Sequence, residues 1–223
     1  MALAAYKDLC IDATDATVLG RFWASALGLS FDVQDNGDTF LSGPTPQHTI
    51  WVNQVPEPKL RKHRVHLDIR ADAVDAVVAL GASVLDATSF PWTLMADSEG
   101  GELCVFPADV GQGRLGSIVV DSVDHVCIAQ WWADVLGAEC VVDPRGFSSV
   151  VRVPGAPFDA IDFVPVPEPK AMKNRIHIDV LTNDLEALID AGATRIRPQA
   201  PPIRWTVLAD PEGNEFCAFT RPG

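Results

Sequence analysis

Two short runs hold the side chains best suited to chemistry. His66 stands in the run RVHLDI (64–69) and His177 in RIHIDV (175–180). In an extended strand alternate side chains share a face, so His66 and Asp68 lie together, as do His177 and Asp179. An imidazole beside a carboxylate suits metal ligation or proton transfer. Further along, Glu102 and Glu215 precede Cys104 and Cys217 by two residues, which places each carboxylate on the same strand face as a thiol. Asp8 and Asp162 sit in alternating apolar and polar runs of the same kind. Trp92 and Trp205 open strand-like segments and offer flat aromatic walls.

These residues recur in register because the chain is duplicated. VPEPKLRKHRVHLDI (55–69) returns as VPEPKAMKNRIHIDV (166–180), at an offset of 177 − 66 = 111. Asp15 and Gly28 reappear as Asp124 and Gly137, offset by 109, and Trp92 and Glu102 as Trp205 and Glu215, offset by 113. The drift requires a few inserted loop residues. Each half holds two quarters, and each quarter reads as a strand, a helix closed by glycine, then three short strands. The expected class is α+β: halves 1–106 and 117–223, joined by the Gly-rich linker 107–116. Asp15, Asp72, Asp124 and Asn183 are expected helix caps.

One quarter cannot bury its own helix and sheet, whereas two joined edge to edge give a curved eight-stranded sheet with helices outside. Leu9, Ile11, Val65, Leu67 and Ile69 would face the helices. Asp8, Asp12, His66 and Asp68 would then line the concave cleft, where a small molecule binds. His63, three residues before His66, is expected on the other face of that strand.

Composition narrows the function. The formal charge of −13 disfavours nucleic acid. No apolar run approaches the roughly 20 residues of a membrane span, and the first residues lack the pattern of a signal peptide. Five cysteines without a Cys-x-x-Cys pair read as a reduced, cytoplasmic chain.

The βαβββ quarters, the HLDI and HIDV strands and the DPEGNEFC ending together resemble the vicinal oxygen chelate superfamily, which includes glyoxalases, bleomycin-resistance proteins and extradiol dioxygenases. The resemblance covers nearly the whole chain as two tandem glyoxalase-like domains. It implies one metal ligand on the first and last strand of each quarter. Those positions are Asp8, Trp51, His66 and Cys104 in the first half, and Ser117, Asp162, His177 and Cys217 in the second. Tryptophan cannot coordinate, so the second half is the expected metal site, with Asp162, His177 and Cys217 as ligands. The ion would be one divalent zinc, nickel, manganese or iron, unless the site carries none. Glu215 and Glu102 are the candidate catalytic carboxylates, and Asp8, His66, Trp92 and Trp205 the candidate ligand-binding residues. A dioxygenase would need a second histidine at a ligand position. Two functions stay open: a metal-dependent lyase or isomerase, and a non-catalytic binder like the bleomycin-resistance proteins. The chain would be a monomer or homodimer, with a small molecule as its partner.

Overall fold

The computed structural model describes residues 2–107 and 113–220. Sixteen strands and four α-helices, with one short 3-10 turn at Pro46–His48, form four modules among these residues. The first is β1 (Ala4–Ala13), α1 (Ala16–Leu27), β2 (Ser30–Val33), β3 (Thr39–Ser42) and β4 (Ile50–Gln54). The second is β5 (Val65–Ala71), α2 (Val74–Val78), β6 (Ser83–Asp86), β7 (Thr93–Ala96) and β8 (Glu102–Pro107). The third is β9 (Leu115–Ser122), α3 (His125–Leu136), β10 (Glu139–Asp143), β11 (Phe147–Val151) and β12 (Ala160–Pro165). The fourth is β13 (Ile176–Thr182), α4 (Leu185–Asp190), β14 (Thr194–Arg197), β15 (Thr206–Ala209) and β16 (Glu215–Thr220). This is the expected α+β arrangement of βαβββ modules. The expected linker over 107–116 falls largely on residues 108–112, outside the described residues.

The long helices start and stop for local reasons. The Asp15 carboxylate accepts from the backbone of Val18, and that of Asp124 from Cys127. Gly28 and Gly137 end these helices at φ of 70° and 65°, a conformation glycine adopts without a Cβ clash. The short helices differ from expectation by one residue. Ala73 rather than Asp72 precedes α2 and caps nothing, and Asp184 rather than Asn183 caps α4.

The modules pair edge to edge into two eight-stranded sheets, but not within each half as the repeat suggested. Sheet A runs β14-β15-β16-β13-β1-β4-β3-β2, and sheet B runs β10-β11-β12-β9-β5-β8-β7-β6. Sheet A therefore joins modules one and four, and sheet B modules two and three. The seams are antiparallel: β1 on β13, with Cys10 opposite His177, and β5 on β9, with His66 opposite Val119.

The halves are nevertheless tied within themselves. Glu99, in the β7–β8 turn, accepts from the backbone of Thr14 and Asp15 at the start of α1. Glu212, in the β15–β16 turn, does the same for Val123 and Asp124 at the start of α3. A carboxylate there satisfies free N–H groups and opposes the positive end of the helix dipole. The DSEG and DPEG turns are thus helix caps acting at a distance.

One contiguous core joins both sheets through Leu9, Ile11, Leu67, Ile69, Ile118, Phe163, Val180 and Phe216. Trp23 and Trp132 are buried in α1 and α3, as their helical spacing predicts. The two VPEPK connectors face each other. Arg64 donates to the carbonyl of Glu168, and Arg175 to the carbonyl of Glu57. No helix among the described residues is long and apolar enough to cross a membrane.

Candidate functional site

Each sheet turns a two-row polar constellation away from the core. In sheet A, Trp51, Cys10 and His177 stand side by side on β4, β1 and β13. The next row holds Asp8, Asp179 and Cys217 on β1, β13 and β16. In sheet B the corresponding rows are Asp162, Val119 and His66, then Ser117, Asp68 and Cys104. One strand further out, Phe40 stands beside Trp51 and Ser149 beside Asp162.

Cross-half pairing redistributes the expected ligands. His177 and Cys217 meet in sheet A, whereas Asp162 lies in sheet B, in the row of His66 with Val119 between them. The triad Asp162, His177 and Cys217 is therefore not assembled. The physical reason is the seam: the module-four histidine strand pairs with β1, not with β9.

In sheet A the charges are settled internally. The register of β1 slips between Tyr6 and Asp8, leaving Lys7 as an extra residue. Its ammonium pairs with Asp8 and lies 4.3 Å from the centre of the Phe219 ring. Asp179 faces Asp8 across the seam. Burial and the Asp8 charge push its carboxyl well above the usual carboxylate range. The Asp8 carboxyl is raised by burial, with Lys7 pulling against that shift. His177 Nε2 lies 3.5 Å from Asp179 Oδ1 and 3.4 Å from Cys217 Sγ. Burial lowers its imidazole to about 4, so it is neutral at neutral pH.

Sheet B has the same frame with a different filling. The slip falls on β9, between Ser117 and Leu115, and the extra residue is Gly116. Where sheet A inserts a lysine, sheet B inserts no side chain. His66 Nε2 lies 3.4 Å from Asp68 Oδ1 and 3.7 Å from Cys104 Sγ. Donor atoms of these three residues all lie within 4.8 Å of one another, as do those of Cys10, His177 and Asp179 in sheet A. The sheet B pair is the more open: 13% and 18% of the His66 and Asp68 side chains are exposed, against 10% and 3% for His177 and Asp179. The nearby cation Arg70 is committed to Asp159 and the Gly113 carbonyl.

Asp162 accepts from the Ser149 hydroxyl, and burial raises its carboxyl. Burial and Asp68 push the Cys104 thiol up, so a bound cation would have to displace that proton. Trp92 lies beside Cys104, stacked on Phe90 at 5.1 Å and tilted on Phe106 at 5.3 Å.

An imidazole, a carboxylate and a thiol are a legitimate donor set for a divalent ion with one position left open. Sheet B fits that requirement. Sheet A offers a similar set, but with a resident ammonium beside it, which repels a second cation.

The remaining expectations divide. Trp92 lies beside Cys104, and Trp205 packs on Phe219 at 5.3 Å. Glu102 and Glu215 are spent on the connectors: Glu102 binds Lys59 and the His63 backbone, and Glu215 binds Lys170 and the Asn174 backbone. His63 precedes β5 rather than lying within it, and faces the connector cleft. Cys10, Ser149 and the Lys7/Gly116 contrast escaped the sequence. Only the one-residue bulges bring that contrast to the site, and a bulge leaves no mark on the apolar alternation.

Paired βαβββ modules carrying donor clusters on their sheet faces define a member of the vicinal oxygen chelate superfamily. The chain belongs to the Glyoxalase-like domain family, whose model matches residues 8–106 and 117–219. Among solved structures it is similar to glyoxalase I from Zea mays, with a TM-score of 0.71 at 13% identity, covering 96% of this chain and 92% of that one. It is also similar to a putative dioxygenase from Bacillus subtilis, with a TM-score of 0.67 at 14% identity over 100% and 86% of the two chains. The cppA protein from Streptococcus pneumoniae follows at a TM-score of 0.51 and 10% identity, over 98% and 100%. No curated protein matches by sequence.

Proposed function

We propose that the chain binds a small oxygenated molecule on sheet B, with one divalent metal held by His66, Asp68 and Cys104, and acts on it as a lyase or isomerase. The observation that carries this reading is the contrast at the bulge. Lys7 places an ammonium in sheet A, whereas Gly116 brings no side chain to the matching position of sheet B. A bound metal would supply a Lewis acid that polarises the ligand's oxygens. Asp162, raised by burial and oriented by Ser149, is the group suited to take up or return a proton. Trp92 offers its face to the planar part of the ligand. Sheet B has one imidazole in its rows, so the two-histidine iron site of a dioxygenase is not the reading we favour. Five unpaired cysteines suit a reducing compartment.

Sheet A supports a second, non-catalytic reading. Phe40 and Trp51 pack at 4.8 Å on one flank, with Trp205 and Phe219 on the other. Aromatic walls around a self-compensated polar floor suit a planar ligand held without chemistry.

Metal content by elemental analysis tests the main proposal. About one ion per chain is expected from a three-donor site. His66→Ala should lose it and His177→Ala should keep it. Absence of metal after incubation with zinc, nickel, manganese or iron would sink the proposal, as would the opposite dependence on the two histidines.

A further inference from the structure

A cleft of about 480 Å³ lies between the two VPEPK connectors and shares no lining residue with either donor cluster. Its volume is that of a small-molecule site. The connectors repeat almost residue for residue, yet they line the cleft unequally. The first contributes Leu60, Arg61, His63 and Arg64; the second contributes Ala171 and Met172 at the places of Leu60 and Arg61. Both walls carry cations and a glutamate, Arg61, Arg64 and Glu57 on one and Lys173, Arg175 and Glu168 on the other; they differ where Ala171 and Met172 replace Leu60 and Arg61.

The cations differ in how they are neutralised. Lys59, Lys62 and Lys173 each pair with a carboxylate: Glu102, Asp121 and Asp12. Arg175 reaches Glu99 at 3.2 Å. Arg64 instead donates to two carbonyls, those of Glu168 and Asp121, both at 2.8 Å. Carbonyl oxygens satisfy N–H groups without cancelling a full charge. Its Nε is buried and has no hydrogen-bond partner among the described residues, and the same holds for both ring nitrogens of His63. Glu102 is 4.0 Å from His63 Nδ1, too far for a hydrogen bond. Arg61 makes no ion pair among the described residues. Glu57 and Glu168 also line the cleft, but neither Arg61 nor Arg64 makes an ion pair among the described residues, and buried donors without partners beside these two guanidinium groups suit an anion. The exposed side chains of Leu60 and Met172 (72% and 45%) supply apolar surface for the rest of such a ligand.

We infer that the cleft between the connectors is a second ligand site, which takes an organic carboxylate: the carboxylate on Arg61, His63 and Arg64, and a short apolar chain against Leu60, Ala171 and Met172. This site is independent of the metal reading of sheet B.

Calorimetric titration with hexanoate tests it, with hexanol and inorganic phosphate as comparators. Hexanoate should bind saturably, one per chain. Loss of the charge-assisted bonds in hexanol, or of the apolar contacts in phosphate, should weaken binding roughly tenfold or more. Arg61 is exposed, so Arg61→Gln should fold normally and weaken hexanoate about tenfold. Met172→Glu, which brings a like charge next to Ala171 in the cleft, should weaken it at least as much. The His66→Ala variant should bind hexanoate as the parent does. The inference fails if hexanoate does not saturate, if phosphate or hexanol binds as tightly, or if both connector variants leave the affinity unchanged. Loss of binding in His66→Ala would move the ligand to sheet B and also overturn it.

Discussion

Sheets A and B share one plan: a histidine, an aspartate two residues on and a cysteine on the neighbouring strand. They differ at the bulge and on the outer strands. Sheet A carries Lys7, Asp8, Trp51 and Phe40 where sheet B carries Gly116, Ser117, Asp162 and Ser149. The first set fills its site with an ammonium, its counter-ion and two rings. The second brings neither an ammonium nor rings, and places a carboxylate on the far flank. A duplicated scaffold thus keeps its histidines in both copies while their surroundings decide what each can do.

The widest separation between the sheets should appear in metal uptake, where His66→Ala abolishes binding and His177→Ala does not. A swap at the bulge sharpens the point. Gly116→Lys should transplant the sheet A plug into sheet B and weaken metal binding at least tenfold, by like-charge repulsion. A Cβ at Gly116 meets the Asp68 carbonyl at 3.2 Å, so the strand must give slightly, and circular dichroism should confirm that the fold survives. Lys7→Ala tests the converse: titration should reveal a second, weaker metal site in sheet A. Unchanged stoichiometry in both variants would show that the bulge residue does not distinguish the sheets.

Smaller effects are expected away from the sites. Glu212→Gln weakens a charged cap on α3 that accepts from two backbone N–H groups, and should cost about 1–2 kcal/mol in urea unfolding. His63 gives a pH effect. Burial lowers its imidazole from 6.5 to about 4. Glu102 opposes that shift, while Lys59, Arg175 and His66 reinforce it. The unfolded chain takes up the proton first, so this contribution is full above the unfolded value and is lost as pH falls toward 4. His63→Asn should flatten the acid limb of stability between those values by up to about 3 kcal/mol. Parallel acid limbs in parent and variant would place the acid sensitivity elsewhere.

Much of this architecture was legible in the chain. The 111-residue repeat of VPEPK and the alternation around His66 and His177 locate the modules and the face that carries donors. Asp15, Gly28, Asp124 and Gly137 mark the long helices through local capping chemistry. The choice of sheet partner was not legible. β5 and β13 present nearly the same edge, so the pattern of either strand fits β1 or β9 equally well. That ambiguity grouped Asp162 with His177 instead of His66. Glu102 and Glu215 misled for another reason: a carboxylate two residues from a thiol shares its face, but lysines from the connectors claim it first.

The pairing of the sheets also fixes an order of assembly. Sheet B is nested inside sheet A along the chain. Its seam joins His66 to Val119, 119 − 66 = 53 residues apart, while the sheet A seam joins Cys10 to His177, 177 − 10 = 167 apart. Closing the longer loop costs roughly 1 kcal/mol more in chain entropy, and its last strands leave the ribosome after every strand of sheet B. The inner sheet, with the proposed metal site, can therefore form first and serve as the surface on which modules one and four find each other.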